Sequence, residues 1–516
     1  MTGSAAHPVV VLGAGPAGVV AALLLSQQGV PVLVLDRWSS VYPQPRAVHL
    51  DDEVYRLLGR LGLAGAFAAI SRPALGLRAL SADHRVLAEF SRSEATGVHG
   101  YPQASMFDQP DLEAALRADL QQRPEVTFRG DVEITGLSTS PGGSVRVELQ
   151  DRLTGVEEHV TAEYVLGCDG ANSLVRQVLG IGVRDLGFAQ RWLVVDVATT
   201  AEMDAWEGVH QVCDPRRAGT YMRIGTTRYR WEFQLLAGES AADYTDLARL
   251  RTLIDPWAAH VADEELTVLR TAEYEFRAQV AEQWRSGRVF LLGDAAHLTP
   301  PFIGQGMGAG LRDAANLSWK LAGVLRGELP GDVLDTYQAE RKPHATAMVR
   351  LAIGLGRAMT DGGRLGDLLR ELVAPRLQLL PGVRARVLDS ATPRLSAGPL
   401  VRRSLRSGPL PGRLCPNALV DGQRRLDEVA PDQFLLVSRQ PFTGQQRDTV
   451  ERRGAVPLQV RAGEPLERWL RRGRAGAVVV RPDGTVLAAD RTVAAVLPHL
   501  PSFRVPATTR PALRVG

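Results

Sequence analysis

An α/β fold interrupted by a mostly antiparallel β insertion is what this sequence of 516 residues predicts, and three observations carry the prediction. First, a short apolar run, Val9 to Leu12, enters the turn Gly13-Ala14-Gly15-Pro16-Ala17-Gly18, after which a helical segment leads to a second apolar run. Second, two later apolar runs, Tyr164-Val165-Leu166 and Val289-Phe290-Leu291-Leu292, end in the turns Gly167-Cys168-Asp169-Gly170 and Gly293-Asp294. Third, between these two, over about residues 188–287, continuous runs give way to period-two alternation.

Val9 to Leu12 has the unbroken apolar character of a parallel strand buried on both faces. Val19 to Leu25 continues as an apolar helix closed by Gln27, Gln28 and Gly29, and Val32 to Leu35 is a second buried strand ending in Asp36. That is a βαβ unit of ordinary length. The later runs end where open α/β sheets place their ligands, so the nucleotide-binding sheet is assembled from pieces far apart in sequence. In the alternating region Tyr229, Trp231, Phe233 and Leu235 share one strand face, with Arg230, Glu232 and Gln234 on the other. Tyr221 to Ile224 and the turn Gly225-Thr226-Thr227 make it a hairpin. The aromatic face suits a flat organic substrate and suits ordinary core packing equally. After about residue 345 a helical stretch leads into Pro- and Arg-rich connections near residues 393–412. Strands follow at Phe434 to Val437 and Ala477 to Val480, the second returning through Arg481-Pro482-Asp483-Gly484 into Thr485 to Ala488.

Composition excludes several classes. With 45% hydrophobic and 23% charged residues and a formal net charge of +3, nothing points to nucleic acid or membrane. Arg471-Arg472-Gly473-Arg474 reads as a solvated surface. Cys168, Cys213 and Cys415 form neither a CxxC pair nor a metal-ligand spacing, so no disulfide framework or metal site is expected. No signal peptide precedes the first strand, and no window reaches the roughly 18 apolar residues of a membrane helix. The expected address is the cytoplasm.

Three segments carry chemistry. In the first, Gly13 makes the tight turn, Gly15 admits a pyrophosphate and Gly18 allows close helix–strand packing, with Pro16 and Ala17 opening a helix whose positive end meets the phosphates. Asp36 accepts hydrogen bonds from a ribose, and Arg37 adjoins it. In the second, Asp294 at a strand end holds a ribityl or ribose hydroxyl, after Gly293 and before His297, a structural hydrogen-bonding residue. The glycine-rich run Gly304 to Gly310 then leaves backbone N–H groups free at a helix start, where they stabilise negative charge on a reduced flavin ring. A small or apolar stripe follows at Leu311, Ala314, Ala315, Ser318, Ala322 and Leu325. In the third, Asp169 and Arg176 suit contacts near a pyrophosphate, with an Asp-capped helix as the alternative.

In this order the segments resemble the flavin-dependent aromatic hydroxylases of the p-hydroxybenzoate hydroxylase type. The resemblance is stronger to 3-(3-hydroxyphenyl)propionate hydroxylases and related polyketide hydroxylases. It rests on Pro45-Arg46-Ala47-Val48-His49-Leu50-Asp51-Asp52-Glu53, on Trp192 to Asp196, and on Gly304-Gln305-Gly306 through Trp319-Lys320-Leu321, and it covers roughly the first 350 residues. It implies FAD bound at Gly13, Gly15, Gly18 and Asp36, with Arg46 and Gln109 beside the cofactor and Asp169 and Arg176 near phosphates. Asp294 would hold a flavin-side hydroxyl, Pro301 would lie at the reacting edge of the ring, and Gly304, Gln305, Gly306 and Met307 along its pyrimidine edge. The implied domains are an FAD-binding Rossmann-like domain (1–75, 101–187 and 288–345), a substrate-binding β domain (76–100 and 188–287), a helical connector (346–399) and a thioredoxin-like C-terminal domain (400–516). Lone Cys415 leaves that last domain without a dithiol.

The implied reaction is monooxygenation. NADPH or NADH reduces FAD, O2 adds to give a flavin hydroperoxide, and one oxygen atom passes to a phenolic or polyketide-like ring. His49, Asp51 and Tyr221 are the candidate bases. Gly354-Leu355-Gly356 lacks a third glycine and a preceding strand, which leaves a single dinucleotide fingerprint and argues against separate FAD and NADPH domains. Baeyer–Villiger oxygenation on the same fold, a non-oxygenating FAD dehydrogenase or reductase, and a non-catalytic flavin-binding protein are the competing readings. A monomer or homodimer is expected.

Overall fold

The computed structural model describes residues 6–42, 46–92, 96–140, 143–203, 205–360, 392–403 and 408–504. Most of the expected connector, residues 361–391, lies outside them. The first sheet takes its central strands from distant parts of the chain. Ala6–Leu12 lies between Glu157–Gly167 and Val32–Leu35, with Val289–Leu291 beyond the former and Val126–Arg129 beyond the latter. All four pairings are parallel. Register pairs Leu12 with both Gly167 and Leu35, and Gly167 with Leu291. The carboxyl ends of these strands therefore line up, and each continues directly into one of the three chemistry-bearing segments. The helix Pro16–Gln27 packs on this sheet, its residues from Gly18 to Ser26 all buried.

A second, eight-stranded sheet holds the alternating region. Its axis is Val183–Ala198, paired antiparallel with Thr267–Ala281 on one side and Arg228–Gln234 on the other. Gly219–Arg223 and Val209–Val212 follow, and Gly76–Leu80 joins parallel to the latter with Val86–Ser91 at the edge. Directly paired residues share a face. Tyr221, Tyr229, Trp231 and Phe233 thus lie with Leu193, Val195 and Val197, and the helix Leu247–Ala258 covers them with Leu250, Ile254 and Trp257. This settles the alternative left open above. The aromatic face is a closed core, and Tyr221 is part of it.

The polar face points the other way. Trp192, Val194, Asp196, Thr220, Met222, Arg230 and Glu232 occupy it by register. It looks onto the Arg46 and Phe302 loops and a small three-stranded sheet: Arg230 donates to the Arg46 carbonyl at 3.2 Å, Met222 packs with Val48 and with Ala104 and Met106 of the strand Ala104–Phe107, and Trp192 meets the Phe302 ring edge-on at 5.7 Å.

A third, four-stranded sheet runs Val456–Gln459, Leu435–Ser438, Ala477–Val480, Val486–Asp490; its first pair is parallel and the others antiparallel. Gly444–Arg452 and Pro465–Arg472 are the helices between its strands. It is docked rather than tethered. Trp319, on the helix Gly306–Leu325, meets Phe434 and Phe503 edge-on at 5.5 and 5.8 Å, contacts worth about 1 kcal/mol each beyond their buried area. Buried ion pairs flank this seam: Arg56 with Asp427, and Arg481 with Glu340, which also takes Lys320 at 2.9 Å.

Candidate functional site

The glycine turn is shaped by contact on two sides and open on the third. Gly13 has φ of +103°, and a Cβ there would lie 2.4 Å from the Cys168 carbonyl oxygen. A Cβ on Gly18 would lie 2.0 Å from the Gly13 oxygen. Around a Cβ on Gly15 nothing comes within 4 Å. Gly15 is also the N-cap of Pro16–Gln27, whose first turn has no side-chain cap and no acidic residue. That leaves the positive end of a buried helix for an anion. Asp36 is held against the turn, accepting from Ala14 N at 2.5 Å and Trp38 N at 2.8 Å. Arg37 does not join it. Its guanidinium pairs at 2.7 Å with Glu133 on the surface, because the residue after Asp36 leaves the strand toward solvent.

The second segment sits against the first. Gly293, with φ of +60°, lies where added Cβ atoms would come within 3.2 Å of Ala17 and, from Gly310, 3.0 Å of its own Cα. Arg176 is turned to this segment: it donates to the carbonyls of Ala295 and Ala171, each at 2.9 Å. Asp169 caps the following turn through Val175 N at 3.0 Å, leaving its Oδ1 buried with no partner among the described residues. Asp294 accepts no hydrogen bond among the described residues, and burial raises its pKa against the opposing charges of Arg46 and His297. Gln109 acts on the Arg46 segment, its Oε1 accepting from Arg46 N at 3.0 Å and Ala47 N at 2.6 Å.

The loop Pro301–Ile303 and the start of Gly306–Leu325 complete this side. Gly304 closes the loop with φ of +60°, and its carbonyl meets His49 Nδ1 at 3.3 Å. The helix's first N–H groups, from Gly306, Met307 and Gly308, lie ahead of its first intrahelical bond, from Ala309 to Gln305 O at 2.9 Å. Gln305 contributes backbone here, since Arg312 takes its Oε1 at 3.0 Å.

Two expected bases serve other ends. Asp51 is fully buried; it caps Asp52–Arg60 through Val54 N and pairs with Arg312, and although burial raises its pKa, the Arg312 charge together with the hydrogen bonds from Val54 N, Arg312 and Gln305 holds the carboxyl below its usual range. Tyr221 lies in the closed aromatic core, where burial raises its pKa, the wrong direction for a base. His49 does face the loop, but burial and then Arg92 lower its pKa to about 4.

Asp313 and Arg312 escaped the sequence reading, and Asp196 and Arg230 entered it without a role in the site. Asp313 accepts from Gly293 N at 3.1 Å, His297 Nε2 at 2.8 Å and Arg341 Nε at 2.8 Å, which fixes the loop around Asp294. His297 is tied to Asp313 through Nε2, and its Nδ1 is buried with no partner among the described residues. Arg230 grips Asp196 through two bonds of 2.6 and 2.9 Å.

Buried neutral histidines give a pH prediction. His49 and His99 have pKa values lowered to about 4 and about 3, first by burial and then by Arg92 and Arg56 respectively. The unfolded chain binds these protons below about pH 6.5 while the folded one does not, so their stabilisation is complete above that pH and is lost as pH falls toward 4. The expected loss is on the order of 5 kcal/mol by pH 4. Denaturant titrations from pH 7 to pH 4 measure it, and a His99→Asn variant should show a flatter slope; an equal slope would refute this origin.

The residues present fit FAD: an open glycine cradle at a bare helix end, Asp36 tied to it, an Asp294 with no hydrogen-bond partner among the described residues, and a second helix start. The comparisons agree. Residues 6–352 match the family model described as an FAD binding domain. The chain is 33% identical over 515 residues to a probable NADH-specific resorcinol 4-hydroxylase of Rhodococcus jostii (strain RHA1), covering 95% of this chain and 93% of that protein. It is 35% identical over 382 residues to a 3-(3-hydroxy-phenyl)propionate/3-hydroxycinnamic acid hydroxylase of Burkholderia cenocepacia (strain HI2424), covering 74% and 69% of the two chains. Among solved structures, aklavinone-11 hydroxylase in complex with FAD and aklavinone superimposes with a TM-score of 0.79 at 25% identity, over 96% of this chain and 97% of that one. The chain belongs to the FAD-binding-domain family of flavin-dependent aromatic hydroxylases.

Proposed function

We propose that the chain is a single-component monooxygenase that uses NAD(P)H and O2 to hydroxylate a small phenol. The observation that carries the reading is the meeting of strand ends at which Gly293, next to Asp294, lies against Ala17 of the helix that starts at Gly15 and against Gly310 of the helix Gly306–Leu325. Bound FAD supplies electron storage and oxygen transfer; the protein supplies placement and a water-poor enclosure. Gly13, Gly15 and Gly18 would hold the pyrophosphate, Asp36 the ribose and Asp294 a ribityl hydroxyl. The backbone at Gly304–Met307 would lie along the pyrimidine edge, with Pro301 at the reacting edge. The ring to be hydroxylated would lie between that loop and the polar sheet face. Both relatives are named for phenols with a substituent meta to the hydroxyl, which makes such a compound the substrate class of choice.

The division into an FAD-binding domain (1–75, 101–187, 288–345), a substrate domain (76–100, 188–287), a connector (346–399) and a C-terminal domain (400–516) is part of this reading. For the last, the strand order and the two intervening helices support a thioredoxin-like module. The loop Arg439 to Thr443, between its first strand and helix, has no cysteine. Buried Cys415, its thiol pushed up to about 12, supports a redox-inert role.

The test is NADH-driven O2 uptake with resorcinol and with 3-(3-hydroxyphenyl)propionate, followed by product mass. Stimulated uptake with a product one oxygen atom heavier is expected. A colourless purified protein, or uptake that no phenol stimulates, would overturn the reading. Asp294→Ala is expected to weaken FAD binding by roughly 10- to 100-fold, the loss of a charged hydrogen bond; undiminished flavin content would contradict its role.

A further inference from the structure

We infer that Glu232 is the group that takes the proton from the substrate's ring hydroxyl, an inference that rests on the hydroxylase reading. Glu232 sits mid-strand on the polar sheet face, between Val194 and Thr220 across the ladder. Its row lies between two others. On one side is Arg230, bonded to the Arg46 carbonyl; on the other is Trp192, against Phe302 of the loop next to Pro301. Rows on one strand face are about 7 Å apart, so the carboxylate stands over the span between the Arg46 segment and that loop. A single aromatic ring fits such a span.

Unlike its neighbours, Glu232 is unpaired. Asp196 is bonded by Arg230, and Arg270 lies 3.8 Å from Asp196 and donates to the Tyr274 hydroxyl. Glu232 makes no hydrogen bond or ion pair among the described residues, although it is only half-exposed. Burial raises its pKa, opposed by Arg230, reinforced by Asp196 and opposed again by Arg270. A carboxylate of raised basicity is better matched to a phenol than His49, which is lowered to about 4.

The step balances as follows. The O–H bond of the ring breaks, the electron pair stays on the ring oxygen, and the proton forms a new O–H bond on Glu232. The ring oxyanion is stabilised by Arg230 and Arg270 and donates density to the carbon that receives oxygen. When the oxygenated carbon loses its hydrogen as a proton to water, the C–H electron pair restores the aromatic ring and returns charge to the ring oxygen, which takes the proton back from Glu232.

The experiment compares wild-type holoenzyme with Glu232→Gln. A nitrophenol whose phenolate absorbs visible light is titrated into the oxidised enzyme across pH. Wild type should bind it as phenolate with the proton retained by the protein, and E232Q should bind it with at least a tenfold smaller phenolate fraction at the same pH. In turnover, E232Q should lose roughly 100-fold in hydroxylation rate. The acid limb of its kcat/KM profile should vanish, and activity should partly return with phenols already ionised in solution. Flavin content should be unchanged, and removing an unpaired, half-buried carboxylate should leave stability equal or higher, so misfolding is separable. Equal phenolate fractions in the two proteins, or an unchanged acid limb, would overturn the role of Glu232. Failure of wild type to make any oxygenated product would instead overturn the hydroxylase reading, because the binding titration needs no turnover.

Discussion

Gly18→Ala protein is expected to fold and to purify with little flavin. The added Cβ would come 2.0 Å from the Gly13 oxygen and 3.2 Å from the Cys168 Cβ, both on the strand-end side of the helix. Neither neighbour is a flexible side-chain tip, so the helix Pro16–Gln27 must shift away from the turn. Alanine favours a helix interior over glycine by about 1 kcal/mol, which keeps the helix itself intact. The cost falls on the alignment of its N-terminus with the phosphates, and a Kd for FAD at least 100-fold weaker is expected, about 3 kcal/mol. Flavin absorbance per protein and FAD titration of the apoprotein measure it. Gly15→Ala is the contrasting case: its Cβ meets nothing in the protein, so it should lose FAD while leaving apoprotein stability unchanged. A Gly18→Ala protein that retains full flavin would show that close approach is not what the third glycine provides.

The second large effect is expected at Arg312. Its guanidinium bonds Glu53 Oε2 at 2.9 Å and Gln305 Oε1 at 3.0 Å, and pairs with Asp51. Asp52 stands between the two acids in sequence, its pKa raised to about 8 first by burial and then by Asp51 and Glu53. Arg312→Met leaves two more buried carboxylates without their cation, a change that costs about 3–5 kcal/mol at pH 7. The sign with pH is distinctive. Asp51 passes from a lowered to a raised pKa in the variant, so the unfolded chain gives up its proton first and the deficit grows as pH rises through the carboxylate range. Urea unfolding of both proteins at pH 5 and pH 8 should therefore show a larger difference at pH 8. A pH-independent deficit would mean lost packing rather than uncompensated charge.

What was legible in the sequence was whatever depends on neighbours along the chain. Val9–Leu12, Gly13–Gly18 and Val32–Leu35 announce a βαβ unit because turn, helix and strands are consecutive. The expected helix start at Gly306 and the strands around Tyr221 and Trp231 emerged for the same reason. Sequence alternation separates two faces of a strand without saying which faces the cofactor, since aromatic side chains serve a core or a ligand equally. The helix Leu247–Ala258 decides it, and its docking is tertiary. Asp313 was hidden because the apolar stripe of its helix marks one buried side and is silent about the others. In the structure Asp313, Asn316 and Lys320 are buried as well, each satisfied by a partner 16 or more residues away. Arg37 and Arg176 had the right chemistry in nearly the right place, and only the fold shows them turned to Glu133 and to Ala295.

The helix Gly306–Leu325 joins the nucleotide-binding sheet and the third sheet in one continuous hydrophobic core. Its Gly310 adjoins Gly293, while Trp319 further along is clasped by Phe434 and Phe503. For anyone recombining relatives, this sets the splice points. A graft of the last hundred or so residues must carry Phe434, Arg481 and Phe503 together with matching residues at Trp319, Lys320 and Glu340. A chimera that ignores that seam would fail far from the cut, where the rod carrying Trp319 begins at the proposed flavin site.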